Sequence, residues 1–365
     1  MNLFKKVLLL ILVFTFVLSL NAQETEADST KPKMFDWFLF PYALYSPETN
    51  FAFGGAGIIY FRTSEKENTK PSKINMSAYY TVNHQFSTFM TPSIYFDENK
   101  NELAGELYFA HKIDKFYGAG SNSVEISNPQ YDFQIAQAIV KFKREIYESV
   151  KITINYEFNH YKIKDTRENP FFNDPSIPGI SGGNNSGIGF GINFDNRDNL
   201  FFPSSGTYFD LYSLFYLNFL GSDFKYNEFI FDARHYQSIY SENRVIAVQL
   251  YSAITTGVTP FYSMPTMGGA WMMRGYYNGR YRDKTFSTAQ IEFRDEFFWK
   301  LGFVLFAGVG DVGSSLGTYK LTQLKYSYGF GLRYMLDTEE KINIRFDMGF
   351  GHNTSGIYFG IEEAF

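Results

Sequence analysis

Apolar and polar side chains alternate with a period of two along most of the chain, and no stretch carries a helical period of comparable strength. In Val150–Lys162 one face holds Val150, Ile152, Ile154, Tyr156 and Phe158, and the other holds Lys151, Thr153, Asn155, Glu157 and Asn159. Ile342, Ile344, Phe346 and Met348 alternate in the same way with Asn343, Arg345 and Asp347. Ile357, Phe359 and Ile361 continue the pattern toward Phe365, broken by Glu363. Such runs predict strands at 38–46, 51–62, 73–82, 86–96, 101–110, 131–145, 149–163 and 186–195. The second half adds 206–217, 224–238, 243–254, 285–298, 301–311, 324–336, 341–350 and 355–365, sixteen in all. The 301–311 run alternates less cleanly, and its glycines Gly302, Gly308 and Gly310 predict bulges or a close approach of backbones.

The connections sort by length. With a periplasmic N-terminus, the long segments 111–130, 164–185, 255–284 and 312–323 all fall at the cell surface. The opposite end has mostly short polar turns such as Asp97–Lys100, Tyr240–Glu242 and Asp337–Glu340, with 63–72 and 196–205 as longer exceptions. Loop length sorted by side is the mark of an outer-membrane barrel, which is also the β-architecture that leaves no backbone donor unpaired in lipid. The reading is therefore an all-β protein, a 16-stranded antiparallel transmembrane β-barrel over residues 38–365 with a long loop folded into the lumen. Phe365 is expected in the last strand, at the membrane interface where aromatic rings are favoured.

Composition agrees. The 365 residues are 20% aromatic and only 19% charged, with 30 glycines, which favours strands and tight turns over helices. Mean hydropathy is slightly negative, as in a barrel whose walls alternate between lipid and lumen. The absence of cysteine excludes disulfides, thiolate metal sites and an N-terminal lipid anchor on Cys. A net charge of −5 without a basic stripe argues against nucleic-acid binding. Residues 1–22, with Lys5 and Lys6 before an apolar core Val7–Leu20 and a small-residue exit, have the form of a secretory signal peptide. Residues 23–37 then form a short polar periplasmic segment. The compartment expected is the outer membrane of a Gram-negative bacterium.

Little in the chain reads as catalytic or metal-binding. His84, His111, His160, His235 and His352 are scattered, no Gly-x-Ser-x-Gly elbow occurs, and Asp195–Asn199 lacks the Gly and distal Glu of a calcium loop. No metal and no cofactor are expected, and the protein is read as a non-enzyme. The stretch from Gly268 to Gly313 is the informative one. It contains Trp271-Met272-Met273-Arg274-Gly275-Tyr276, a basic segment Arg280–Asp283, and a strand in which Gln290, Glu292 and Arg294 share a face. A guanidinium sent into a confined lumen needs carboxylates, because a lone buried charge is costly by several kcal/mol. Gly275 permits a tight turn beside Arg274, and Tyr276 can lie on the wall. On spacing alone Arg274 is as readily a solvated loop residue, and Trp271–Met273 as readily loop packing as a client-contact surface.

The same segments resemble the bacterial surface-antigen barrel family of BamA, TamA and the two-partner-secretion transporters. The similarity is carried by Tyr45–Asn50, Phe116–Gly120, Asp195–Asn199 leading into Phe202–Gly206, Met273–Tyr276, Glu292–Arg294 and the Asp311 strand. The resemblance implies that Arg274, Gly275 and Tyr276 form the tip of the sixth surface loop, with Arg274 bound to Glu292 and Asp311 on the inner wall. It also implies activity in inserting or translocating outer-membrane proteins. Membrane lipids and unfolded outer-membrane proteins would then be the partners, and a weak seam between first and last strands the working part. Two departures stand out: Val309 where the family has Phe or Gly before the acid, and only residues 23–37 where periplasmic POTRA domains are usual, which marks a short member. A passive pore or structural barrel is the second reading and an outer-membrane hydrolase the third.

Overall fold

The computed structural model describes residues 34–46, 49–64, 69–338 and 341–365. The leader assigned to 1–22 and residues 23–33 lie outside them. The chain rises and falls through β1 (Phe35–Ser46), β2 (Asn50–Phe61), β3 (Ser72–Thr81), β4 (Phe86–Phe96), β5 (Asn101–Lys115) and β6 (Gln130–Tyr147). It continues through β7 (Val150–Asp165), β8 (Gly182–Asp195), β9 (Gly206–Tyr216), β10 (Tyr226–Ile239) and β11 (Ser241–Gly257). Two-residue strands β12 (Thr266–Met267) and β13 (Tyr281–Arg282) pair within the following loop. Then come β14 (Thr285–Phe298), β15 (Leu301–Gly313), β16 (Lys325–Asp337), β17 (Ile342–Gly351) and β18 (Thr354–Ile361).

Leaving out the β12–β13 ribbon, the strands form one 16-stranded antiparallel sheet in strict sequence order, β1 to β18. The sheet curls until β18 lies beside β1, but no ladder joins these two among the described residues. The result is a nearly closed barrel with a seam. Strand parity explains the wall. Ile152, Ile154 and Tyr156 of β7 are exposed on the outer face, whereas Asn155 and Asn159 are buried on the inner one. An apolar exterior with a polar interior is what lipid outside and lumen inside demand. Exposed Trp37, Tyr147, Tyr240, Phe298 and Trp299 ring the end with the short turns, a girdle suited to a membrane interface. The long connections 116–129, 166–181, 258–284 and 314–324 all leave from the other end.

Two sequence expectations change and one, on the β15 glycines, holds. The first strand starts at Phe35 and so takes in Phe35–Trp37. The glycines of β15 behave as expected: the β14–β15 register shifts between Glu296 and Phe298, opposite Gly302, and Gly310 lets the β14 backbone approach, since a Cβ there would meet the Ser287 carbonyl oxygen at 2.6 Å. The last strand stops at Ile361 instead of reaching 365. Glu362, at φ 69°, turns the chain inward, and Glu363 meets Arg333 and Asn343 in the lumen. Phe365 is therefore 5% exposed and not at the lipid interface. It packs with Phe202, Tyr236, Val245, Ala247 and Ala364 as a floor to the lumen.

Phe202 reaches that floor from the 196–205 turn, which is built on side-chain acceptors. The Asp198 carboxylate accepts the amides of Asn199, Ser204 and Ser205 at 2.9, 2.9 and 3.1 Å. Asn199 accepts those of Phe201 and Phe202 at 2.7 and 2.8 Å. Partial burial alone would raise the Asp198 pKa, but the Ser204 hydroxyl and these amides outweigh it and hold the carboxyl below its ordinary value. A depressed carboxyl stabilises above its unfolded pKa and loses that contribution as pH falls through the folded one. Nicking of this turn by an acid protease should therefore increase only below about pH 4. In Asp198→Asn nicking should be higher and show no such onset.

Candidate functional site

The lumen is occupied by the 258–284 loop. Gly268 and Gly269, at φ 113° and 98°, turn the chain after β12 and send the tip down the inner wall. Met267, Met273 and Tyr276 pack there with Phe286 of β14 and Val312 of β15. The Met273 amide donates to Gln290 Oε1 at 2.9 Å. At Gly275 (φ 109°) the loop backbone lies flush on Gly349 of β17. A Cβ on Gly349 would come within 2.6 Å of the Arg274 carbonyl carbon, and one on Gly275 within 2.7 Å of Phe350 backbone atoms. Both positions need glycine for that contact.

Arg274 is 1% exposed. Its Nη2 donates to Glu292 Oε1 on β14, and its Nη1 to Asp347 Oδ2 on β17 at 2.7 Å. The guanidinium stacks over Phe306 of β15, 3.5 Å from the ring centre. Three more arginines complete the cluster. Arg294 binds Glu292 at 2.8 Å, Arg333 binds Asp347 at 2.6 Å, and Arg345 binds Asp347 at 3.3 Å. Glu363 joins from beyond β18, 2.8 Å from Arg333. Each charge has a partner of opposite sign, which is the condition for burying so many together.

Of the sequence candidates, Arg274, Gly275, Tyr276 and Glu292 meet in one place. Asp311 does not join them. The β14–β15 register sets Phe306 beside Glu292 and Asp311 opposite Ser287, five residues nearer the surface end. At about 3.3 Å per residue that is too far for Arg274 to reach. Both Asp311 carboxylate oxygens stand 2.7 Å from the Ser121 hydroxyl, and Oδ1 also accepts Lys325 Nζ at 2.7 Å. Asp311 thus anchors the 116–129 loop instead. Asp347 takes its place at Arg274. Its signal was present in the sequence, as one of the polar positions alternating with Ile344, Phe346 and Met348, but spacing does not tell which inward acid lies at the right height.

The basic segment after the tip closes the surface end. Arg280 donates to the Ser123 hydroxyl and carbonyl at 3.0 Å each. Buried Arg282 reaches Asp114 at 3.4 Å and the Lys115 carbonyl at 3.2 Å. Around it Phe116, Tyr131, Phe133, Phe171, Phe172 and Phe261 form an aromatic dome. Loops 116–129, 166–181 and 258–284 thus cover the barrel together.

Comparison with known proteins agrees with this arrangement. The profile of the Omp85 superfamily domain matches residues 70–365. The structure is similar to BamA from Haemophilus ducreyi lacking POTRA domains 1–3, with TM-score 0.63 and 14% identity, covering 91% of this chain and 70% of that one. It is also similar to CdiB from Acinetobacter baumannii (TM-score 0.59, 13% identity, 90% of this chain and 60% of that). CdiB from Escherichia coli gives TM-score 0.62 at 8% identity, over 91% and 63%. The chain thus spans less than two thirds of either CdiB, and at these identities the likeness is one of fold. No curated protein sequence matches.

The geometry separates two aspartates. Asp347→Asn leaves Arg274, Arg333 and Arg345 short of a counter-charge and should destabilise the barrel by about 3–5 kcal/mol, read as a lower denaturant midpoint in detergent. Asp311→Asn should shift that midpoint far less, and should instead open the 116–129 loop to protease.

Proposed function

Because the chain belongs to the Omp85 superfamily, whose barrels reside in the Gram-negative outer membrane, we propose that it inserts or translocates other outer-membrane proteins and performs no covalent chemistry. The observation that carries this reading is the seam. Fifteen neighbouring strand pairs are laddered, while β1 and β18 lie side by side without a ladder among the described residues. An unpaired strand edge at membrane depth is unfavourable in lipid and ready to pair with an incoming strand. β18 has eight residues against twelve in β1, so part of the β1 edge faces no strand. The clients are unfolded outer-membrane proteins, the membrane lipids are the second partner, and residues 1–22 serve as an export leader. The arginine cluster fixes the loop so that the wall keeps its shape while the seam works.

A passive pore is disfavoured by the dome above, the loop within and the Phe202–Phe365 floor below. The protein reconstituted in liposomes should speed the folding of an added outer-membrane barrel severalfold over empty liposomes, and Arg274→Glu should remove the gain. Equal folding rates together with a steady open conductance in planar bilayers would replace this reading with the pore.

A further inference from the structure

The loop that carries Arg274 is fastened to the last strand as well as to the acids. Tyr358 of β18 is 2% exposed and points inward. Its hydroxyl accepts the Gly275 amide at 2.9 Å and donates to the Tyr276 carbonyl at 3.2 Å. Thr354 at the start of β18 donates to the Gly275 carbonyl at 2.9 Å. Gly356 makes room for this, since a Cβ there would stand 2.4 Å from the Tyr358 hydroxyl. Beyond β18, Glu363 is held by Arg333 and Asn343. β18 is therefore bound at three heights to elements that do not belong to the seam. β1, by contrast, is laddered to β2 alone among the described residues, and its Tyr42 hydroxyl bonds to Ser77 on that same side.

We infer that Tyr358 is a positioning residue that ties the loop to the seam, so that β18 is the fixed edge and β1 the edge that swings. The inference rests on the insertion reading for its purpose, since an asymmetric seam serves a barrel that opens, but its structural content is independent of that activity. The order of events follows. A client strand meets a β1 that departs together with β2, while β18 stays with the loop. Loosening the loop would release β18 as well and let the seam lose its fixed side.

The chain has no cysteine, so spin labels can be placed at introduced ones without background. Labels at Phe330 of β16 and Phe359 of β18, both on the outer face, report the fixed edge. Labels at Leu39 of β1 and Phe346 of β17 report the swinging edge. The intact protein should give a narrow distance distribution for the first pair and a broad one for the second. Tyr358→Phe keeps the ring but strands a buried amide and carbonyl, and should raise the displaced population of the first pair by about tenfold. Heat-modifiable migration in gels verifies that the variant folds; if it does not, Thr354→Val carries the same test through the Gly275 carbonyl. A first pair unchanged by these substitutions, or one already as broad as the second in the intact protein, overturns the inference. Insertion measured on the same samples separates the two readings, because label distances that behave as expected in a protein that inserts nothing would remove the function and leave the tether.

Discussion

A guanidinium buried out of reach of water has to be met by carboxylates, and the rest of the lumen is arranged around that requirement. Arg274 reaches Glu292 on one strand and Asp347 on another, with Arg294, Arg333, Arg345 and Glu363 completing the set. Such a cluster adds little net stability over a well-packed apolar one of the same volume, yet removing one member leaves a buried charge unpaired. Its contribution is therefore to position. The loop tip has one place to rest, and that place involves β14, β15, β17 and, through Tyr358, β18.

Much of the fold was legible from alternation alone. Sixteen runs of period two became sixteen strands, and the parity of loop lengths assigned the two ends. The departures have a common cause: periodicity fixes the face of a residue but says nothing of its height, or of which distant strand a curled sheet brings alongside. Glu292 is placed by the family resemblance, with alternation adding only that it shares a face with Gln290 and Arg294. Asp311 shares the next strand but stands an odd five positions from Phe306, on the parity of exposed Leu305 and Val309, as well as nearer the surface end. Asp347 is seventy-three residues from Arg274 and becomes its neighbour only when the sheet rolls up. Phe365 misled for a related reason. The alternation from Ile357 onward breaks at Glu363, but that break alone does not say that Glu362 adopts a left-handed backbone and sends the chain across the lumen.

The two ends of the barrel are closed by different means. At the surface end, aromatic side chains from three loops pack over Arg282, with Arg280 and Asp311 fastening the 116–129 loop to its neighbours. At the other end, one turn and the residues after β18 supply Phe202 and Phe365 to a small apolar floor. The wall between them is continuous except along one line. Along that line β1 and β18 lie side by side without a ladder among the described residues.

The sequential order of the strands also has a kinetic consequence. Every ladder of the main sheet joins strands consecutive along it, and the β11–β14 pair spans the longest connection, 258–284. The chain can thus grow hairpin by hairpin, each addition closing only a short segment, which keeps contact order low for a β-protein of this size. The meeting of the first and last strands is different: it requires residues more than three hundred positions apart to find one another, at the largest chain-closure entropy in the molecule. It carries the highest closure cost and gains no ladder among the described residues in return. The boundary that costs most to close is thus the one without a ladder, and a cylinder parted there keeps every hairpin on either side intact.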